Sequence, residues 1–426
     1  MLLEPFLLAF ESLRDVFMIL WDYWWIWVPL VLGMVTWETM VNYHRLQYVS
    51  DLKWVLLELR VPMEAHKSLK GMEQVFAAFH ALPQPFPPKT LRMAFHAWKE
   101  KYFKGKVQDW LSLELVSISG EIHYYVRVLE ESRNMVEAQI YAHYPDSEIT
   151  QVSDYMAQLP MVLPTDEIDM TSMELALIKE DIYPIKTYPE FEEQGAGRDD
   201  VRRIDPLAPI AEAMTALTFG EYLGIQILIR PTNDSWVKKG QPVLDKLMGK
   251  TPKGLDPDLL EKGMRAVDEW LLGPGKKDEE KKDKPFNQLN PGLQETIKAM
   301  ERSFSKLAFE TGIRLLYVAP KDRYNKTRTG AVAAAFKQFA TQALNGFKPG
   351  FMAEVRMGFN KEQKTLRNKR ILHKRYKVRE FPKVPFVLNT EELTTIWHFP
   401  DIGVKTPSLP RIDAKKGEAP AGIPIV

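Results

Sequence analysis

A chain of 426 residues with 57 Lys and Arg against 56 Asp and Glu has a formal charge of +1, so net charge implies no polyelectrolyte partner. Any preference for nucleic acid or anionic lipid has to come from local clustering. The absence of cysteine excludes disulfides, thiolate zinc sites and a cysteine nucleophile, and fits a cytoplasmic body.

Leu2, Leu3, Phe6, Leu7, Phe10, Leu13 and Phe17 recur at helical spacing opposite Glu11, Arg14 and Asp15, which reads as a short interfacial helix. It leads into Phe17 to Trp37, the one apolar run approaching the roughly 20 residues that cross a bilayer as a helix. That run carries a single acid, Asp22. Trp21, Trp24, Trp25, Trp27 and Trp37 are placed as membrane-interface residues, and Pro29 and Gly33 are tolerated in spanning helices. A buried core helix is the alternative for a run of this length. Glu4, Glu11, Arg14 and Asp15 precede it, whereas His44, Arg45, Lys53, Arg60, Lys67 and Lys70 follow. The positive-inside bias therefore predicts a single-pass anchor in the cell membrane, N-terminus outside and the long remainder cytoplasmic. With no basic leader and no small-residue cleavage site, the anchor is expected to be retained.

Trp54 to Val61 reads as a buried strand stopped by Pro62, and Met72, Val75, Phe76 and Phe79 fall at helical spacing after Ser68. Thr90 to Phe103 is an additional helix beyond a proline-rich break. Trp110 to Ile118 and Ile122 to Leu129 flank Ser119-Gly120-Glu121, a hairpin signal. A helix over Glu131 to His143, with Met135, Val136, Ile140 and Tyr141 inward, and a strand over Glu148 to Val152 complete a β-α-β-β-α-β order, the split βαβ or ferredoxin-like arrangement.

The order returns more loosely: a strand over Leu175 to Lys186, a helix opened by Asp205-Pro206 and running to Leu217, a strand over Tyr222 to Arg230, and helices over Trp236 to Met248 and Asp258 to Leu271. Gly273 to Asp283 is a mixed-charge breaker, expected to be disordered. A helix capped by Asn290-Pro291 is expected to run through Glu310 and stop at Gly312. Ile313 to Ala319, Arg328 to Leu344 and Phe351 to Met357 then supply strand, helix and strand. The expectation is an α+β chain: an anchor (1–45), a first ferredoxin-like module (46–160) and a second (161–360) with a helical insertion (232–312). A basic helix (361–385) and a short helix with an extended tail (386–426) follow.

Lys361, Lys364, Arg367, Lys369, Arg370, Lys374 and Arg375, with Lys377, leave Glu362 as the lone acid between Arg356 and Arg379. Only Leu366, Ile371, Leu372 and Tyr376 are there to bury. One-sign density of this kind is costly by self-repulsion unless an anion lies against it. The readings are a solvated face or acidic protein partner, nucleic-acid phosphates, and anionic headgroups. Asn389 or Thr390 caps a short helix ending near Phe399-Pro400, and a proline-punctuated tail suited to draping on a partner follows.

No catalytic constellation emerges, so no catalytic residue, metal or cofactor is expected. Gly249-Lys250-Thr251 lacks the glycine that a phosphate loop needs five residues earlier, where Leu244 stands. The histidines form no HExxH; His80 with His96 and His123 with His143 read as satisfied residues rather than ligands. Glu391-Glu392 and Asp199-Asp200 are adjacent and point apart. Tyr124 and Tyr125, beside His123 and Arg127, could offer a stacking face on a sheet, short of an RNA-recognition signature.

The stretches WVLLELRVP with KSLKGMEQVFAAFHAL, VQDWLSLELVSISGEIHYYVRV with RNMVEAQIYAHYPDSEI, and FVLNTEELTTIWHFP with PSLPRIDAKKGEAPAGIP resemble a membrane-anchored family of unknown function. It is found beside conjugation and type IV secretion genes of bacteria, those of the candidate phyla especially. FVLNTEEL and KKGEAPAGIP are also similar to the segment preceding the motor in HerA/TraG-like DNA-transfer ATPases, although this chain ends where a motor would begin and has no Walker A loop. The resemblance implies a non-enzymatic scaffold or adaptor of a transfer assembly. It would dock an ATPase through Leu388, Asn389, Glu391, Glu392, Leu393, Trp397 and Phe399. The alternative is a membrane-tethered nucleic-acid-binding protein using the basic cluster 356–379. Expected partners are thus membrane lipid, a secretion ATPase, nucleic acid and a second copy of the chain.

Overall fold

The computed structural model describes residue 18 and residues 21–60, 69–83, 88–194, 201–203, 205–248 and 290–400. The expected interfacial helix, the helix over Asp258 to Leu271, the breaker at Gly273, the Gly249-Lys250-Thr251 motif, Asp199-Asp200 and the tail beyond Pro400 lie outside the described residues.

In chain order the elements are α1 (Trp24–Asp51), β1 (Trp54–Arg60), α2 (Leu69–Phe79), α3 (Leu91–Phe103), β2 (Leu111–Ile118), β3 (Glu121–Leu129), α4 (Arg133–His143), β4 (Glu148–Val152) and β5 (Ile168–Leu177). Then come β6 (Glu192–Gln194), β7 (Val201–Arg203), α5 (Ala208–Thr215), β8 (Tyr222–Pro231), α6 (Ser235–Leu247), α7 (Pro291–Phe304) and β9 (Ala308–Pro320). The last are α8 (Thr327–Ala335), β10 (Phe347–Met352), α9 (Lys361–Lys377), β11 (Phe386–Asn389) and α10 (Thr390–Ile396). The chain divides into two units, one of residues 1–53 and 85–108, the other of the remainder.

The first unit holds α1 and α3. α1 is the one helix among the described residues long and apolar enough to cross a membrane, and its most apolar stretch is only 6% buried. The Thr36 and Thr39 hydroxyls donate to the carbonyls of Leu32 and Val35, each at 2.7 Å, so these polar groups are satisfied within the helix, as an apolar surrounding requires. Trp21, Trp24, Trp25 and Trp27 are exposed. The helix does not end with the apolar run at Trp37 but continues to Asp51. α3 is grouped with α1 and not, as the sequence order suggests, with the first module.

In the second unit every pairing in the main sheet is antiparallel, in the order β10-β5-β9-β8-β2-β3-β1-β4, with β11 added alongside β9. The N-terminal half supplies β4-β1-β3-β2 and the C-terminal half β10-β5-β9-β8. The seam is the pairing of β2 with β8, in register from Leu111 opposite Ile229 to Ile118 opposite Tyr222. The sequence predicts two modules; the structure joins their strands into one sheet. β6 and β7 form a separate ladder.

The central strands are buried on both sides, hence their near-continuous apolar runs. One face packs against α2, α4, α5, α8 and α10. In α2 the buried positions are Met72, Val75, Phe76 and Phe79, one stripe at helical spacing, and they meet Leu57, Leu113 and Val126 from the strands in a single core. In α4 Val136 and Ile140 are buried, while Tyr141 is turned outward. The other face is covered by Tyr155, Met156, Leu159 and Leu163 and by Tyr376 of α9.

Several boundaries differ from expectation. β5 lies earlier than Leu175 to Lys186 because Asp169, Thr171, Ser172 and Glu174 dilute its apolar pattern. α7 stops at Phe304, and Gly312 is a strand residue inside β9. Glycine is needed there because a Cβ would collide with the Pro382 ring. The alanine-rich helix ends at Ala335 and passes into a 3-10 turn, and the closing strand is Phe347–Met352, earlier than Phe351 to Met357.

Candidate functional site

The face of the sheet that α9 covers carries one rung of polar residues across six strands. Glu58 lies opposite Tyr125, Tyr125 opposite Glu114, Glu114 opposite Gln226, Gln226 opposite Arg314, and Arg314 opposite Glu174. In β8 the rung residue, Gln226, interrupts a nearly continuous apolar run. Glu114 and Gln226 are fully enclosed and Arg314 nearly so.

A charge so enclosed is tolerable only if paired and hydrogen-bonded. Glu114 accepts from Ser112 (2.5 Å), Tyr155 (2.8 Å), Gln226 (3.1 Å) and Arg379, whose Nε and Nη2 lie 2.9 and 3.1 Å from the two carboxylate oxygens. Arg379 follows α9 in a left-handed backbone conformation, φ 51°, which a non-glycine residue adopts at a cost of about 1–3 kcal/mol. Its guanidinium also donates to Asp154 and to the Lys377 carbonyl, so all five N–H groups have acceptors. Burial works against the Glu114 charge, but Arg379 and the hydrogen bonds from Ser112 and Tyr155 outweigh it and hold the carboxyl below its usual range. Burial likewise opposes the Arg379 charge, and Glu114 overcomes it. At the other end of the rung Arg314 and Arg375 both reach Glu174, at 2.9 and 3.3 Å. Three cations thus meet three carboxylates, while the neighbouring Arg127, stacked on the Trp54 ring, keeps a buried Nη1 without a hydrogen-bond partner among the described residues.

What this network does is fix α9. Lys369 pairs inward with Asp169 at 2.7 Å, Arg375 with Glu174, and Tyr376 is buried, its hydroxyl 3.0 Å from that of Tyr155. His373 is also enclosed, whereas Leu366, expected to be buried, is turned outward and Ile371 is half-buried. The seven basic candidates therefore divide. Lys369 and Arg375 belong to the interior. Lys361, Lys364, Arg367, Arg370 and Lys374 are exposed at spacings of three and four, one face of the helix, and form no ion pair with another described residue.

The residues predicted to dock a partner are occupied inside the chain. Asn389 and Glu392 make a reciprocal capping box, with Glu392 also accepting from the Ile185 N–H at 2.8 Å. Glu391 accepts from Thr187 and Arg302. Leu388 and Leu393 are in the core, and Trp397 and Phe399 pack on Phe76, Tyr124 and Tyr144. All seven are buried, because β11 pairs with β9 and α10 lies on α2. Nor do Tyr124 and Tyr125 form an open stacking face: both are buried, on opposite sides of the sheet, with Tyr125 stacked on Tyr155.

A cleft of about 270 Å³ beside α7 contains Arg302 and Lys306, but these cations already hold Glu391 and Glu73 at 2.9 and 2.6 Å. His123 sits 2.7 Å from Glu58 and His80 3.0 Å from the Thr232 carbonyl. Among the described residues no group of three or more His, Asp or Glu is placed to hold a metal.

The polar rung was not anticipated. Its signal was a polar residue in the middle of largely apolar strands, Glu114 in LSLELVSI and Gln226 in YLGIQILIR, and it becomes meaningful only when the register lines them up.

A family model described as a domain of unknown function (DUF8128) matches residues 87–411, about three quarters of the chain. No curated protein matches it. The chain belongs to that family.

Proposed function

We propose that this member of the DUF8128 family is a non-enzymatic, membrane-anchored adaptor that holds a nucleic-acid strand on its body. It would work within a type IV secretion or conjugation-like transfer assembly. The observation that carries this reading is the five-cation face of α9, Lys361, Lys364, Arg367, Arg370 and Lys374. Clamped from behind by the buried pairs and without ion partners among the described residues, it runs for roughly 20 Å, enough to lie along several phosphates. Phe359, 93% exposed just before the helix, adds a ring on which a base can stack. The non-enzymatic reading rests on the rung, whose carboxylates Glu58, Glu114 and Glu174 are each already held by a cation.

The fold supports finer readings. The strand orders β4-β1-β3-β2 and β10-β5-β9-β8, each with two helices on one face, fit two ferredoxin-like modules fused edge to edge. The acids before α1 and the cations after it favour an N-out anchor in the cell membrane. A motor ATPase remains the protein partner that the sequence resemblance implies; its contact would use surfaces other than the enclosed stretch from Leu388 to Phe399.

The test is binding of fluorescent single- and double-stranded DNA to the full chain in detergent over a range of salt. Five phosphate contacts predict that log K falls against log[salt] with a slope of about −3.5 on single strands and about −4.5 on duplex. Replacing Lys364, Arg367, Arg370 and Lys374 by alanine should remove most of that slope. Binding that is absent or indifferent to salt rejects the reading.

A further inference from the structure

α3 has the composition of neither a core helix nor a solvated one. Leu91, Phe95, Trp98 and Tyr102 lie along one face, at i, i+4, i+7 and i+11, yet Leu91 is 92% and Phe95 65% exposed. Met93 and Phe103 are exposed as well. Flanking them are Lys89, Arg92, Lys99, Lys101, Lys104 and Lys106, with Glu100 the one acid of the segment. Large apolar groups bordered by cations are what a helix lying in an anionic membrane surface presents.

The position of α3 on α1 points the same way. The uncharged stretch of α1 closes at Trp37, and Glu38 follows. Trp37 is the residue α3 packs on: its ring centroid lies 6.4 Å from that of Trp98, 6.1 Å from Tyr102 and 5.9 Å from Phe103. Beyond it Gly105, φ +65°, passes so close to the His44 backbone that no Cβ would fit. α3 is therefore held at the level where α1 ceases to be apolar, the depth of the headgroups for a spanning helix.

We infer that α3 is an interfacial helix that binds an anionic lipid leaflet, giving the chain a second contact with the bilayer; this rests on α1 being a membrane span. Its apolar face enters the acyl boundary and its lysines meet the phosphates.

The absence of cysteine allows a single reporter at any site. Full chains carrying Leu91→Cys, Phe95→Cys, His96→Cys or, within α1, Met34→Cys are labelled with an environment-sensitive fluorophore. Each is reconstituted into vesicles of phosphatidylcholine with or without phosphatidylglycerol. Expected are blue-shifted emission at 91 and 95, quenching there by lipid-borne quenchers, a loss of both signals when the anionic lipid is omitted, and a water-like signal at 96. A lipid signal at 34 with water-like signals at 91 and 95 overturns the inference while the span stands. Water-like signals at 34, 91 and 95 overturn both. Signals at 91 and 95 that ignore lipid charge overturn the anionic preference on which the inference depends.

Discussion

α1 and α3 turn tryptophan, leucine and phenylalanine outward, while the sheet encloses Glu58, Glu114, Gln226, Arg314 and Arg379. Both arrangements reverse the usual partition, and the reason differs. Outward apolar groups fit a surrounding other than water, as the proposed bilayer contacts of α1 and α3 would supply. Inward charges imply that the chain supplies each one with a partner, as Arg379 has for all five of its N–H groups. On that reading the first unit depends on something outside the protein, and the second on completeness inside it.

That contrast is most directly broken at Arg379. Arg379→Ala leaves Glu114 enclosed without its cation and removes one of the ties between the end of α9 and the sheet. It should cost about 3–5 kcal/mol in urea unfolding of the detergent-solubilised chain. The double variant Arg379→Met with Glu114→Leu should recover much of the loss, because an apolar pair replaces an ion pair at small cost. A single variant near wild-type stability would mean that the rung is not a sealed network.

Leucine deletions sharpen the difference between the two regions. Leu57→Ala, in the sealed core, should cost about 2–5 kcal/mol. Leu30→Ala, on the 61% exposed surface of α1, should leave the same transition within about 0.5 kcal/mol. Equal effects would show that the helix is packed as core after all.

What the sequence disclosed follows the same division. Elements whose stabilising contacts are local or periodic were legible: the Met72, Val75, Phe76, Phe79 stripe, the β2–β3 hairpin and the Asn389 cap. The seam of β2 with β8 was not, because backbone pairing between strands about a hundred residues apart leaves no mark on either. Glu114, Gln226 and Arg314 looked like isolated polar interruptions, since only the register sets them side by side. The basic run was visible, but its division into an outward face and the inward Lys369 and Arg375 depended on Asp169 and Glu174. The short helix near Leu393 was legible as a helix, while its occupation by α2 was not, for the same non-local reason.

Glu392 tests the interior through pH. Burial, only partly offset by hydrogen bonds from the Asn389 and Ile185 backbone, raises its carboxyl from 4.5 to about 8. A group raised on folding contributes stability that is fully present below its unfolded value and is lost as pH rises through the folded one. Between pH 7 and 9 the body should therefore lose on the order of 1 kcal/mol. Glu392→Gln loses one cap acceptor but also the proton uptake that folding demands of Glu392, so its stability should be flatter across that interval. An unchanged slope in the variant would assign the alkaline loss to another group.

His373 should give a pH effect with the opposite sign. It is enclosed on α9 with Nε2 lacking a hydrogen-bond partner among the described residues, and burial, aided by Lys377, lowers its value from 6.5 to about 4. A group lowered on folding leaves stability intact above 6.5 and removes it as pH falls toward 4, because the unfolded chain takes the proton first. With solvent screening the loss should be on the order of 1 kcal/mol, best read between pH 6.5 and 5, above the range where Glu114 titrates. His373→Leu removes both the proton site and the orphaned nitrogen. It should match or exceed wild type at pH 7 and unfold at nearly the same urea concentration at pH 5, whereas the wild type shifts to lower urea. If the variant keeps the acid slope, the ring is not the group that couples α9 to pH.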